Sequence, residues 1–168
     1  MVSMVLLGQL RNKFLFGLLG VLAFACADRE IEWIDVDSSN KNLKKEKGTY
    51  FLFDKMLNGR IIAYFENGDT ASIGEYANGV KNGLTQKWYE SGQLKFEGNY
   101  VDGIYSGTVA EWYPDGQRYS LFNYEAGKEV GRQQAWQENG KFKANYEVIG
   151  DRKYGLTGIK NCSNDWEE

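Results

Sequence analysis

The sequence predicts an all-β protein: one elongated antiparallel meander sheet made of β-hairpins that repeat every 24 residues. Three observations carry this. Aromatic residues recur at Tyr64, Trp88, Trp112 and Trp136. A turn-forming pair follows each at one fixed offset: Asn67-Gly68, Ser91-Gly92, Asp115-Gly116 and Asn139-Gly140. Gly59, Gly83, Gly107, Gly131 and Gly155 keep the same interval. A repeat of this length is one supersecondary unit that buries its apolar face against its neighbours. The composition agrees, with 15% aromatic residues, 20 glycines and a single proline among 168 residues. That balance suits many short strands joined by tight turns.

In chain order, residues 1–25 read as a signal peptide. Arg11 and Lys13 precede an uncharged apolar run, residues 14–25, expected to be helical. This run is shorter than the roughly 20 residues that span a bilayer. Ala23-Phe24-Ala25 is a small-residue cleavage pattern, and Cys26 follows it directly. Cys26 resembles the acceptor cysteine of a bacterial lipoprotein, although Leu22 stands four positions before it rather than three. The alternative is that Cys26 becomes an unmodified N-terminus and pairs with Cys162, which an exported chain permits. Residues 26–47 are expected to hold a tether, a strand over 31–36 that caps the sheet edge, and a loop over 38–47 bearing Lys41, Lys44, Lys45 and Lys47. A strand over 48–53 then feeds the array, assigned to residues 48–159, and residues 160–168 form a tail.

Within each unit, strand-forming residues lead into the Asn-Gly, Asp-Gly or Ser-Gly pair, read as a two-residue hairpin turn with positive φ at both positions. A return strand follows, then a second glycine-bearing connection at Asn78-Gly79, Asp102-Gly103 and Gly127. Stacked units place Tyr64, Trp88, Trp112 and Trp136 in one column. Phe65, Tyr89 and Tyr113 form a second column on the opposite face, and Tyr76, Tyr100 and Tyr124 a third. Cross-strand aromatic neighbours contribute about 0.2–1 kcal/mol per pair, so these ladders are expected to hold the sheet together. The fourth unit departs from the beat: Asn145-Tyr146 falls two residues early, which suggests a shortened return strand and an enlarged loop before Gly155.

Charge and chemistry narrow the function. The chain has no histidine. That removes Ser-His-Asp and Cys-His nucleophile activation and the commonest zinc ligand sets. No metal or cofactor is expected. Without Arg11 and Lys13, the remaining 18 basic side chains face 23 acidic ones, a net charge of −5. Such a surface repels phosphate backbones, so nucleic acid is not an expected partner. Paired carboxylates are the surviving catalytic chemistry, and Glu66, Glu90 and Glu138 recur before the turns. That position is better explained by solvated polar flanks, and no enzymatic activity is expected.

The unit starts Tyr64-Phe65-Glu66-Asn67-Gly68 and Trp88-Tyr89-Glu90-Ser91-Gly92, with Gly98-Asn99-Tyr100-Val101-Asp102-Gly103 closing a unit, resemble the MORN-repeat-variant family over roughly residues 48–159. The resemblance is uninformative about activity; it implies a scaffold or a membrane- or lipid-associated role, the anionic-lipid form of which the acidic balance here weakens, often with a lipoprotein-like signal in bacterial members, and an antitoxin label assigned by similarity. It maps no functional residue onto this chain. The leading expectation is an exported, lipid-anchored module of the cell envelope that binds another protein. Two alternatives are an antitoxin-like cytoplasmic binding protein that retains residues 1–25, and an envelope glycan binder using the tryptophan ladder. That ladder is read first as the sheet's own packing.

Overall fold

The computed structural model describes residues 33–157. The signal segment 1–25, Cys26, the first two residues of the predicted capping strand, and the tail 160–168 with Cys162 lie outside the described residues. The described chain has no helix and fourteen strands. Four short ones come first: β1 (Ile34–Asp37), β2 (Leu43–Glu46), β3 (Thr49–Leu52) and β4 (Lys55–Met56). The array follows as β5 (Gly59–Tyr64), β6 (Thr70–Ala77), β7 (Val80–Trp88), β8 (Leu94–Val101), β9 (Ile104–Trp112), β10 (Arg118–Glu125), β11 (Lys128–Glu129), β12 (Gly131–Trp136), β13 (Phe142–Ile149) and β14 (Arg152–Leu156).

From β5 to β14 the main sheet is the predicted meander: every strand pairs antiparallel with its chain neighbour, and the short β11 adds to β10. The sheet stays open. Its first end differs from the single antiparallel sheet expected. β1 pairs parallel with β5, Ile34 opposite Gly59 and Val36 opposite Ile61. β2, β3 and β4 form a separate three-stranded sheet, so the expected loop over 38–47 contains a strand, and the strand over 48–53 does not join the main sheet. Gly59 explains the break. Its φ is +152°, and a Cβ there would overlap the Ile34 carbonyl. The chain leaves β4, turns at this glycine, and β1 occupies the vacated edge of β5.

The turns exchange roles relative to the sequence reading. Within the main sheet, the two-residue turns with positive φ at both central positions are Asn78-Gly79, Asp102-Gly103 and Ala126-Gly127. The pairs at the other ends of the hairpins sit in three-residue loops. Gly68, Gly92, Gly116 and Gly140 have positive φ, whereas Asn67, Ser91, Asp115 and Asn139 do not. The amide of Gly68 donates to Phe65 O at 3.0 Å and that of Phe65 to Asp69 O at 2.8 Å, and the other three loops repeat the pattern. This is a tight turn closed by a bulge glycine. The Asn or Asp side chain selects it by accepting from the backbone two residues on, as Asn67 Oδ1 does from Asp69 N at 2.9 Å.

The beat glycines have a separate task. Between Gly74↔Thr85 and Tyr76↔Lys81 the register slips, and Glu75 faces the extra residues, its Oε2 accepting from Leu84 N at 2.8 Å. Gly83 (φ +106°) lies in this bulge, and Gly107 (φ +78°) lies in the matching one.

The fourth unit is regular in space. β13 has the same eight residues as β8 and β10, and Gly150-Asp151 forms a two-residue turn where Asp102-Gly103 would fall by the beat. Val148 faces Gly131 as Tyr100 faces Gly83, and Tyr146 has moved two places along an unshortened strand. A two-residue step in a strand preserves the face, so Tyr146 still points inward and is buried.

That inner face carries most of the core. Val36, Leu57, Ile61 and Tyr76 form one buried cluster, over which Leu43, Tyr50 and Leu52 of the small sheet pack. Ala135, Ala144 and Tyr146 form a second with Phe122 and Val148. Between them the Tyr105 ring lies 4.8 Å from Tyr100, 5.0 Å from Tyr124 and 6.5 Å from Phe96, centre to centre. Such pairs add about 0.5–1.5 kcal/mol each beyond burial.

Candidate functional site

Trp88, Trp112 and Trp136 end β7, β9 and β12 on the outer face by strand alternation, as Tyr64 ends β5. Their ring neighbours come from return strands. The Arg118 guanidinium lies 5.2 Å from the Trp112 ring centre, and the Phe142 ring lies 5.6 Å from that of Trp136. Alternate strands stand about 10 Å apart, so the intervening strand's side chain separates successive tryptophans. Tyr89 and Tyr113 link units directly: each hydroxyl donates to the carbonyl of the next tryptophan, Trp112 and Trp136, at 2.9 Å. Tyr76 is buried at 5.0 Å from Tyr50, while Tyr100 and Tyr124 flank Tyr105. Burial, then Tyr50, pushes the Tyr76 hydroxyl up to about 12. Asn67, Gly68, Ser91, Gly92, Asp115, Asn139 and Gly140 are exposed at the hairpin ends, with Gly116 half-buried. Glu66, Glu90 and Glu138 are exposed in the same loops.

None of these positions except Tyr76 belongs to the most enclosed chemistry. A cleft of about 490 Å³ opens on the inner face where the small sheet meets β5, β6 and β7. Ile61, Tyr50 and Tyr76 supply its apolar wall; Lys45 of β2 and Lys81, Thr85 and Lys87 of β7 supply its polar wall. The β7 residues share one face because each sits opposite an inward residue of β6: Lys81 opposite Tyr76, Thr85 opposite Gly74, Lys87 opposite Ser72. The small sheet is held over them by backbone bonds. Tyr50 N donates to Gly79 O at 2.7 Å and Gly79 N to Leu57 O at 2.8 Å. Any side chain at Gly79 would overlap Thr49 and Tyr50, so the approach requires glycine.

The electrostatics of the cleft are one-sided. Among the described residues no carboxylate lines it. Lys45, Lys81 and Lys87 have no ion pair among the described residues, and each ammonium lies over a ring instead. The distances to ring centres are 5.2 Å for Lys45 on Tyr50, 4.4 Å for Lys81 on Tyr100 and 5.5 Å for Lys87 on Phe96. Burial, followed by the charges of Lys87 and Lys45, holds the Lys81 ammonium below the ordinary lysine pKa. Thr85 is 3% exposed, and its hydroxyl has no hydrogen-bond partner among the described residues. The contrast with Gln133, two units on and also buried, is direct. Gln133 Oε1 accepts from Asn123 N at 2.9 Å, and its Nε2 donates to Asn123 O at 3.0 Å and Val130 O at 2.7 Å.

A sequence signal for half of this site exists. Lys81, Thr85 and Lys87 are separated by even numbers of residues on one strand, which places them on one face. Lys45 carries no such signal, because only the folding-over of the small sheet brings it to them. Among the described residues no cluster of His, Cys, Asp or Glu is arranged to hold a metal.

Neither a curated protein nor a solved structure matches the chain. Residues 81–102, from β7 through the turn after β8, match the family model described as MORN repeat variant. A repeat of this kind points to a protein-interaction or membrane-binding module, in a family that is generally non-catalytic. The matched stretch covers 22 residues, just under one 24-residue beat, and the hairpins on either side repeat its bulge and turns, so the likeness to a MORN repeat variant rests on this one unit and on the geometry its neighbours share with it.

Proposed function

We propose that the protein is a non-catalytic interaction module, exported and held at the cell envelope through a lipid on Cys26, that presents its sheet to another protein. The observation that supports this best is the open sheet itself. From β5 to β14 its outer face carries one layer of side chains, with half-buried Trp88, Trp112 and Trp136 among polar rows such as Gln86–Glu97 and Thr108–Asn123. A broad, mildly polar face with aromatic anchors suits protein contact better than small-molecule turnover. Metabolic labelling with a palmitate analogue tests the tether. The wild type is expected to take up label and fractionate with membranes, and Cys26→Ser to do neither. An unlabelled, cytoplasmic wild type that retains residues 1–25 would transfer the reading to the antitoxin-like alternative. A photo-crosslinking residue at position 112, on the outer face, is then expected to trap one defined partner band, and the same residue at position 105, on the inner face, is expected to trap none.

A further inference from the structure

The cleft under the small sheet has the wrong chemistry for a purely structural gap. Three lysines line it with no acid among the described residues to balance them, and a buried hydroxyl in its wall has nothing to bond among those residues. Like charges gathered without a counter-charge are destabilising in the empty protein, as is an unbonded buried hydroxyl. One kind of occupant relieves the first: an oxyanion that offers several acceptor oxygens to the ammonium groups.

We propose that this cleft binds a soluble phosphate-bearing small molecule, its phosphate held by Lys45, Lys81 and Lys87 and its body lying against Tyr50 and Tyr76. Lysine rather than arginine is the residue at all three positions, so the anion is met by point charges from several directions rather than by one planar fork. A tetrahedral phosphate fits that arrangement better than a planar carboxylate. The cleft volume, about 490 Å³, exceeds what a bare ion needs and falls in the range of small-ligand sites. The rings of Tyr50 and Tyr76, 5.0 Å apart, give the remainder of the ligand an apolar surface. The recess beneath β2 and β3 favours a molecule that enters from solution over the headgroups of a flat bilayer. The cleft is on the inner face, so its occupancy stands independently of the tether and of the outer-face partner.

The test is calorimetric titration of the full chain with inorganic phosphate, glycerol 3-phosphate and glycerol, alongside co-sedimentation with phosphatidylglycerol and phosphatidylcholine vesicles. The expected result is saturable one-to-one binding of glycerol 3-phosphate, weaker binding of phosphate, and none of glycerol. Lys81→Gln and Lys87→Gln are each expected to weaken the ester by about tenfold or more, the loss appropriate to a charge-assisted hydrogen bond. Lys41→Gln, outside the cleft, should change nothing. The proposal is overturned if neither phosphate compound binds saturably, if the two lysine variants bind as the wild type does, or if only phosphatidylglycerol vesicles bind.

Discussion

Thr85 and Gln133 occupy the same position in two units and are both buried, yet removing their polar groups should move stability in opposite directions. In Gln133→Leu, three hydrogen bonds disappear. Asn123 O retains Val130 N as a donor at 2.9 Å, so it is not orphaned. The Asn123 amide and the Val130 carbonyl each lose their bond to the Gln133 side chain. At about 1–3 kcal/mol for each orphaned group, offset in part by the apolar gain of leucine, the loss should be about 2–3 kcal/mol. Thr85→Val replaces an unbonded hydroxyl with a methyl group of nearly the same shape, and the gain should be about 1 kcal/mol. Urea denaturation followed by circular dichroism measures both as midpoint shifts at unchanged slope. A Gln133→Leu protein within about 0.5 kcal/mol of wild type would refute the role of the side chain as a backbone substitute in the bulge. A destabilised Thr85→Val would refute the claim that its hydroxyl is unsatisfied.

Three further outcomes follow from the geometry. Gly79→Ala should lose more than about 2 kcal/mol, because an L-residue at φ +77° is strained and its Cβ overlaps the Tyr50 backbone. Gly92→Ala, at a similar φ with open space around it, should lose only about 1 kcal/mol by the same urea assay. Tyr113→Phe removes the bond to Trp136 O and should lose about 1 kcal/mol, whereas Phe65→Tyr supplies the missing hydroxyl of the first full unit and should gain up to that much. The Tyr76 pKa is raised by burial, so the folded state keeps a proton that the unfolded state releases near its ordinary value of about 10. That contribution to stability is complete below about pH 10 and is lost as the pH rises toward about 12. Tyrosinate absorbance and circular dichroism recorded together should show a late-titrating group ionising as the fold is lost. Tyr76→Phe should shift the alkaline unfolding midpoint upward.

The repeat is legible in the sequence because it is written in residues whose backbone requirements are local. Gly83 and Gly107 mark bulges, Asn78-Gly79 and Asp102-Gly103 mark two-residue turns, and strand alternation sets the faces. The turns at Asn67-Gly68 and its equivalents depart from the expected type for a specific reason. An Asn-Gly pair satisfies either a two-residue turn or the last two places of a three-residue loop, and only the closing pair Phe65/Asp69 distinguishes them. The fourth unit looks shortened when motif letters are counted instead of strand positions, whereas backbone pairing ignores which residue is tyrosine. Nothing local in residues 43–56 reveals that this segment leaves the main sheet, or that β1 runs parallel to β5.

By itself, the amino-acid order determined the architecture: hairpins in register, open-ended, with aromatics on both faces and chemistry that excludes a histidine-based enzyme. Only the tertiary structure decided where function could reside. Lys45 meets Lys81 and Lys87, and Thr85 is sealed without a partner, because Gly59 turns the chain and Gly79 lets the small sheet close onto β6 and β7. Periodicity constrains neighbours along a strand and across a ladder, but a fold-over between two sheets is set by packing among residues distant in sequence, and it leaves no period to read.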